Sequence, residues 1–166
     1  MHEFGLRVYY EDTDLAGIVY YANYLRFIER GRTEWVREQG IDQVRLKEDD
    51  GLVFAVRRVE ADYLAPARFD DELIVRTSVE QMTGARIVLK QDVTRGTDVL
   101  FSAQVTLVAL TLEGQLTRLP ANMSLICAEI EVESTRSLES EATSSALSLT
   151  NETGLRIPLS AITEYA

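Results

Sequence analysis

Glu11, Asp12 and Asp14 place three carboxylates within four positions, shortly before a segment with helical periodicity. Gly17 lies between the acids and that segment, and it frees the loop backbone for conformations other residues avoid. The first turn of a helix offers backbone N–H groups with no intrahelical acceptor, at the positive end of the helix dipole. A carboxylate and fixed N–H donors on either side of one carbonyl can perform acyl chemistry. The carboxylate attacks the carbonyl carbon or activates water, and the N–H groups hold the developing oxyanion. Acids ahead of a helix also serve as caps and loop ligands, so spacing alone leaves both readings open.

The rest of the composition narrows the chemistry by exclusion. The 166 residues hold one histidine, His2, and one cysteine, Cys127. A Ser-His-Asp triad, a Cys-His pair and a multi-histidine zinc site each need histidines inside the fold, and His2 is expected at a frayed end. One cysteine cannot form an internal disulfide framework or a thiolate metal cluster. Acid–base work falls to carboxylates, tyrosines or lysines. The net charge of −10 argues against general nucleic-acid binding, while a local arginine cluster could still hold a phosphorylated ligand. No run of eighteen apolar residues and no basic-then-apolar leader occurs, so the expectation is a cytoplasmic protein without a transmembrane segment.

The elements that must position these residues follow from periodicity. Residues 6–10 read as a short strand and 11–20 as a loop. From Asn23, a plausible N-cap, to Gly40, a plausible stop, the pattern is helical, with Leu25, Ile28 and Trp35 on one face and Tyr24, Phe27 and Val36 beside it. Gly31 on the apolar side costs a helix about 1 kcal/mol relative to alanine, which implies close packing on a sheet. Residues 42–51 are polar. Residues 52–63, 72–81, 85–95 and 98–112 alternate as strands, separated by turns at Ala65-Pro66, Thr83-Gly84 and Gly96-Thr97-Asp98. The spacing predicts an α+β domain whose antiparallel sheet wraps one helix. Unless the far face of that sheet is polar, a partner chain must cover it, which points to an oligomer. The domain is expected to span 1–130, with a last short helix at 121–130. Residues 131–166 have a Ser/Thr/Glu-rich composition expected of a flexible tail.

The segment Arg7-Val8-Tyr9-Tyr10-Glu11-Asp12-Thr13-Asp14, with Gly17-Ile18-Val19-Tyr20-Tyr21 and Asn23-Tyr24, resembles the signature of the 4-hydroxybenzoyl-CoA thioesterase family. It is most similar to the Tol–Pal-associated acyl-CoA thioesterase branch. The likeness continues through Glu29-Arg30, Arg32-Thr33-Glu34, Tyr63, Ala65-Pro66-Ala67-Arg68 and Asp70-Asp71, over about residues 5–122. The resemblance implies a hot-dog fold, with a five- to six-stranded antiparallel sheet around a long central helix. It also implies dimers paired edge to edge, often joined into tetramers. It carries the catalytic carboxylate onto Asp14 and the oxyanion-holding backbone N–H onto Tyr21. Close members of the Tol–Pal branch have histidine where this chain has Tyr21, which leaves the acyl preference open.

The candidate substrate contacts are Gly17, Val19, Tyr20, Tyr24, Arg57 and Arg86. The arginines could meet CoA phosphates through their planar donor fork, or could be exposed strand charges that block edge pairing. The tyrosines could line an acyl pocket or fill the core. Glu29 and Glu34 are either helix-borne catalytic acids, as in a related hot-dog branch, or solvated charges. The expected activity is hydrolysis of acyl-CoA to acid and CoA, with no metal or cofactor required. The alternatives are a non-catalytic module binding acyl-CoA or acyl carrier protein, and dehydration of a hydroxyacyl thioester, which usually requires a histidine.

Overall fold

In the computed structural model, which describes residues 1–120 and Met123, five antiparallel strands form one sheet against a long helix. The strands are β1 (His2–Arg7), β2 (Leu52–Tyr63), β3 (Glu72–Met82), β4 (Arg86–Arg95) and β5 (Asp98–Thr111). They lie in the order β1-β3-β4-β5-β2, and the helices are α1 (Tyr21–Glu38) and α2 (Gln43–Asp50). Cys127, the short helix expected at 121–130 (Met123 apart) and the Ser/Thr/Glu-rich segment lie outside the described residues.

Alternation decides the inner face. Leu73, Val75 and Thr77 of β3, Ile87, Leu89 and Val93 of β4, and Phe101, Ala103 and Val105 of β5 are all buried. Burying each large apolar side chain contributes about 1.5–3 kcal/mol. Helix α1 answers with Tyr24, Phe27, Ile28, Gly31 and Trp35, spaced at three and four residues. Leu25 is not on this face: it sits about 100° around the helix from Tyr24 and is 40 % exposed.

Gly31 is required by contact. A Cβ added there would lie 2.7 Å from Cγ1 and 3.1 Å from Cβ of Val75, a stiff β-branched side chain buried in an interior strand. Gly31→Ala should therefore lower stability by about 1–2 kcal/mol despite alanine's better helix propensity. Thermal or urea unfolding reads this directly, and an unchanged midpoint would contradict the close approach.

Three expectations need correction. The first strand runs from His2 to Arg7, earlier than 6–10, because the Asp12 carboxylate accepts the Tyr9 N–H (2.9 Å) and turns Tyr10–Asp12 into a 3-10 helix. His2 is therefore not frayed. It pairs with Thr77 across β1 and β3, and its Nδ1 lies 2.6 Å from Glu38 Oε2. The polar stretch at 42–51 is a second helix. Asp42 Oδ1 accepts from Val44 and Arg45 N–H at its start, and Gly51 closes it at φ +63°.

The far face of the sheet is polar. Gln104 donates to Glu80 at 2.7 Å and Ser102 to Asp92 at 2.6 Å. The uncovered surface is instead edge strand β2, where every residue from Val56 to Tyr63 is exposed.

Candidate active site

Residues 12–20 are folded by a short set of backbone bonds. The Asp12 carbonyl accepts both the Tyr20 N–H (2.9 Å) and Asn23 Nδ2 (3.0 Å), so the loop's two ends meet at the start of α1. Asn23 was expected to cap the helix. It instead lies three residues inside it, buried, and Tyr20 occupies the cap position. Within the loop, Asp14 N–H donates to the Ile18 carbonyl (2.9 Å) and Gly17 N–H to the Asp14 carbonyl (3.0 Å). This turn holds Gly17 at φ +71°, where a side chain would be strained. The 64–68 segment clamps the other side: Val19 N–H donates to the Ala67 carbonyl, and Ala67 N–H to the Tyr24 hydroxyl, each at 2.9 Å.

Asn23→Asp tests this tie. The near-isosteric carboxylate would face the buried Asp12 carbonyl with no donor to offer. Stability should fall by about 1–3 kcal/mol, and activity should fall with it as the loop loosens. A variant matching wild type in both unfolding and turnover would show that the tie is dispensable.

The loop and clamp border an open cavity of about 410 Å³ lined by Asp14, Ile18, Val19, Tyr20, Tyr21, Tyr24, Tyr63, Leu64, Ala65 and Pro66. Among the described residues, Asp14 is the only charged side chain lining it. Its Oδ1 accepts the Ala16 N–H at 2.8 Å, which fixes the carboxylate's rotation. Its other oxygen makes no hydrogen bond among the described residues. The backbone N–H groups of Tyr21 and Ala22, in the first turn of α1, likewise have no acceptor among the described residues. Carboxylate and open donors thus border one mostly apolar space, as carbonyl chemistry requires.

The tyrosines form the wall. Tyr24 is 3 % exposed and stacks on Phe101 with centroids 5.2 Å apart. Burial pushes its phenol up, partly opposed by the Ala67 N–H. The Tyr63 hydroxyl donates to the Tyr21 carbonyl at 3.2 Å, and burial raises this phenol too. The Tyr20 phenol is raised by its contact with the Tyr21 hydroxyl. These three therefore stay neutral near pH 7, so none of them is a ready base.

Of the expected site residues, Asp14, Val19, Tyr20, Tyr21 and Tyr24 come together, with Gly17 in the turn beside Asp14. Arg57 and Arg86 do not join them. Arg57 is the extra residue of a bulge between Val56 and Arg58 on exposed β2, and Arg86 begins β4, far along the sheet from the Val93–Phe101 end near the cavity. Arg86 donates instead to Gln81 at 3.4 Å. Glu29 accepts from Thr33 (2.8 Å) and Glu34 pairs with Arg37, so neither faces this cavity. Tyr63, Leu64 and Pro66 were not singled out from sequence as lining residues, although Tyr63 and Ala65-Pro66 stood in the matching motif. A larger surface hollow near Gly40–Val44 offers one carboxylate, Asp42, already engaged in capping α2. Among the described residues, no group of three or more His, Cys, Asp or Glu side chains is placed to hold a metal ion.

The chain is also similar to known proteins. A family model described as "Thioesterase superfamily" matches residues 16–102. The acyl-CoA thioesterase YbgC of Haemophilus influenzae is 43% identical over 109 residues, covering 66% of this chain and 80% of that protein. The acyl-CoA thioester hydrolase YbgC of Escherichia coli O6:H1 is 40% identical over 103 residues, covering 62% and 76%. Among solved structures, "Probable Thioesterase from Bartonella henselae" superposes with a TM-score of 0.69 at 38% identity, covering 72% of this chain and 98% of that one.

Proposed function

The chain belongs to the thioesterase superfamily and hydrolyses acyl-CoA thioesters, and from that premise we propose that Asp14 and the N-terminus of α1 carry out the chemistry. The observation that carries this reading is the cavity bordered by one carboxylate and by unpaired helix N–H groups. An Asp14 carboxylate oxygen attacks the thioester carbon, and the carbonyl electron pair moves to oxygen, where the Tyr21 N–H holds it. The pair returns, the C–S bond breaks and CoA leaves as thiolate, a leaving group that needs little acid assistance. Water then hydrolyses the mixed anhydride, restoring the carboxylate. Alternatively, Asp14 takes a proton from water, which attacks directly; both routes use the same two groups. Val19, Tyr20 and Tyr24 shape the acyl side of the cavity, and Gly17 shapes the turn that carries Asp14.

Release of CoA thiol from short, long and aromatic acyl-CoAs tests the reading. Turnover of at least one class is expected. No thiol above background from any acyl-CoA, or from acyl carrier protein thioesters, would overturn it.

We further propose a homo-oligomer, a dimer or dimer of dimers, built across the edge of β2. The support is that Val56, Val59 and Tyr63 are 46 %, 40 % and 49 % exposed on an unpaired strand edge. Sedimentation should show a dimer or larger, and an active monomer would contradict it. The single cysteine is consistent with a cytoplasmic setting; among the described residues, no helix is long and apolar enough to cross a membrane. The working domain ends near residue 130, so removing 134–166 should leave thermal stability and turnover unchanged. A large drop in the melting temperature would refute that boundary.

A further inference from the structure

Asp12 carries the only buried charged side chain among the described residues, at 7 % exposure, and the catalytic reading does not use it. It forms no ion pair among those residues. An apolar side chain would cost less to bury, so the reason for a carboxylate lies in what it holds. Its Oδ2 accepts the Tyr9 N–H at 2.9 Å, and the Asp12 N–H donates to the Tyr9 carbonyl at 3.0 Å. The backbone bond alone would act as a hinge. The side-chain bond closes a ring between residues 9 and 12 and fixes the angle between them. Val8, just before the ring, is anchored beside β3. It is fully buried, its N–H donates to the Asp71 carbonyl, and its carbonyl accepts the Asp70 N–H, each at 3.0 Å.

The far side of the ring reaches the start of α1. The Asp12 carbonyl accepts the Tyr20 N–H at 2.9 Å and Asn23 Nδ2 at 3.0 Å, while the Ala67 carbonyl accepts the Val19 N–H at 2.9 Å. Two successive peptides are thus pinned to different partners, and the next N–H along the chain is that of Tyr21. A rotation of the Asp12 carbonyl would carry Tyr20 with it and turn the Tyr21 N–H. The Asp12 side chain does not line the cavity, so its influence on the acyl group travels through the backbone.

Resting on the assignment of the oxyanion to the Tyr21 N–H, we propose that Asp12 is a positioning residue for thioester hydrolysis. By accepting the Tyr9 N–H, its side chain fixes its own carbonyl and, through Tyr20, aims the Tyr21 N–H at the oxyanion. The acceptor oxygen does this, and the charge does not.

Steady-state kinetics and thermal unfolding of the full chain, with the acyl-CoA that wild type turns over fastest, test the assignment. Asp12→Asn keeps an oxygen for the Tyr9 N–H and should hold kcat within about threefold of wild type. Asp12→Ala loses the acceptor, and its kcat should fall by about ten- to a hundredfold with KM little changed, the effect of a small misplacement at the reacting atoms. Asp12→Glu keeps the charge but displaces the oxygen by one methylene, so it should lose kcat similarly, and it replaces the alanine variant if that one does not fold. Because Asp12 acts through Tyr21, adding Asp12→Ala to Tyr21→Pro should slow that variant no further. A lowered melting temperature with wild-type kcat in Asp12→Ala would show a role in stability alone and overturn the proposal. An Asp12→Asn variant as slow as Asp12→Ala, or losses that multiply in the double variant, would overturn it too. Full activity in Tyr21→Pro sinks the oxyanion assignment and this proposal together, whereas an impaired Tyr21→Pro beside an unimpaired Asp12→Ala sinks the positioning role alone.

Discussion

Asp14→Asn should lose CoA release by about a thousandfold or more while folding like wild type. The substitution changes little besides charge. The side-chain oxygen can still accept the Ala16 N–H, and the backbone bonds of the Asp14–Ile18 turn do not involve the carboxylate. An amide can neither form the anhydride nor take a proton from water, so both proposed routes stop. The loss should fall on kcat with KM little changed, because Asp14 acts on the reacting carbon rather than on the body of the substrate. Stopped or continuous thiol detection at saturating acyl-CoA reads it. A folded variant that retains activity moves the chemistry elsewhere on the chain.

Tyr21→Pro isolates the other half of the site. Residue 21 is the first residue of α1, where proline is tolerated because the N–H has no intrahelical acceptor. The preceding Tyr20, at φ −59° and ψ 130°, already has the extended backbone proline demands of its neighbour. The helix should therefore form, and the variant lacks the one N–H assigned to the oxyanion. Turnover should fall by roughly 100- to 1000-fold. Tyr21→Ala removes the same ring but keeps the N–H, and should stay within about tenfold of wild type. If alanine and proline are equally impaired, the ring matters and the backbone donor does not.

The parts of the fold legible in the sequence are those with a long apolar period. Strands β2 to β5 alternate in sequence over ten or more residues, an alternation that burial matches in β3 to β5 but not in exposed β2, and their observed limits fall within a residue or so of the expected ones. Strand β1 was displaced because its residues alternate half-buried and exposed, whereas Val8-Tyr9-Tyr10 looks more strand-like yet is bent by Asp12. Helix α2 buries only Leu46, so its evidence was its caps, Asp42 and Gly51, and no apolar stripe. Gly31 was legible through its cost on an apolar helix face, and the contact with Val75 explains it.

The candidate site divides similarly. Asp14, Gly17 and the start of α1 are contiguous in sequence, so their spacing and resemblance could expose them. Tyr63, Leu64 and Pro66 enter from the end of β2, and only the sheet order brings them to the cavity. Arg57 and Arg86 were expected to meet CoA phosphates through their donor fork, a property of residue type that carries no information on position. A bulge sets one on an exposed edge, and strand register carries the other to the far end of β4.

The most direct measurement is a crystal structure of Asp14→Asn with an intact acyl-CoA bound. The thioester oxygen should lie about 2.7–3.1 Å from the Tyr21 backbone nitrogen, with the carbonyl carbon about 3–3.5 Å from the residue-14 side chain. A thioester seated away from the start of α1, with residue 14 out of reach of its carbonyl, would contradict the assignment of the chemistry to Asp14 and Tyr21.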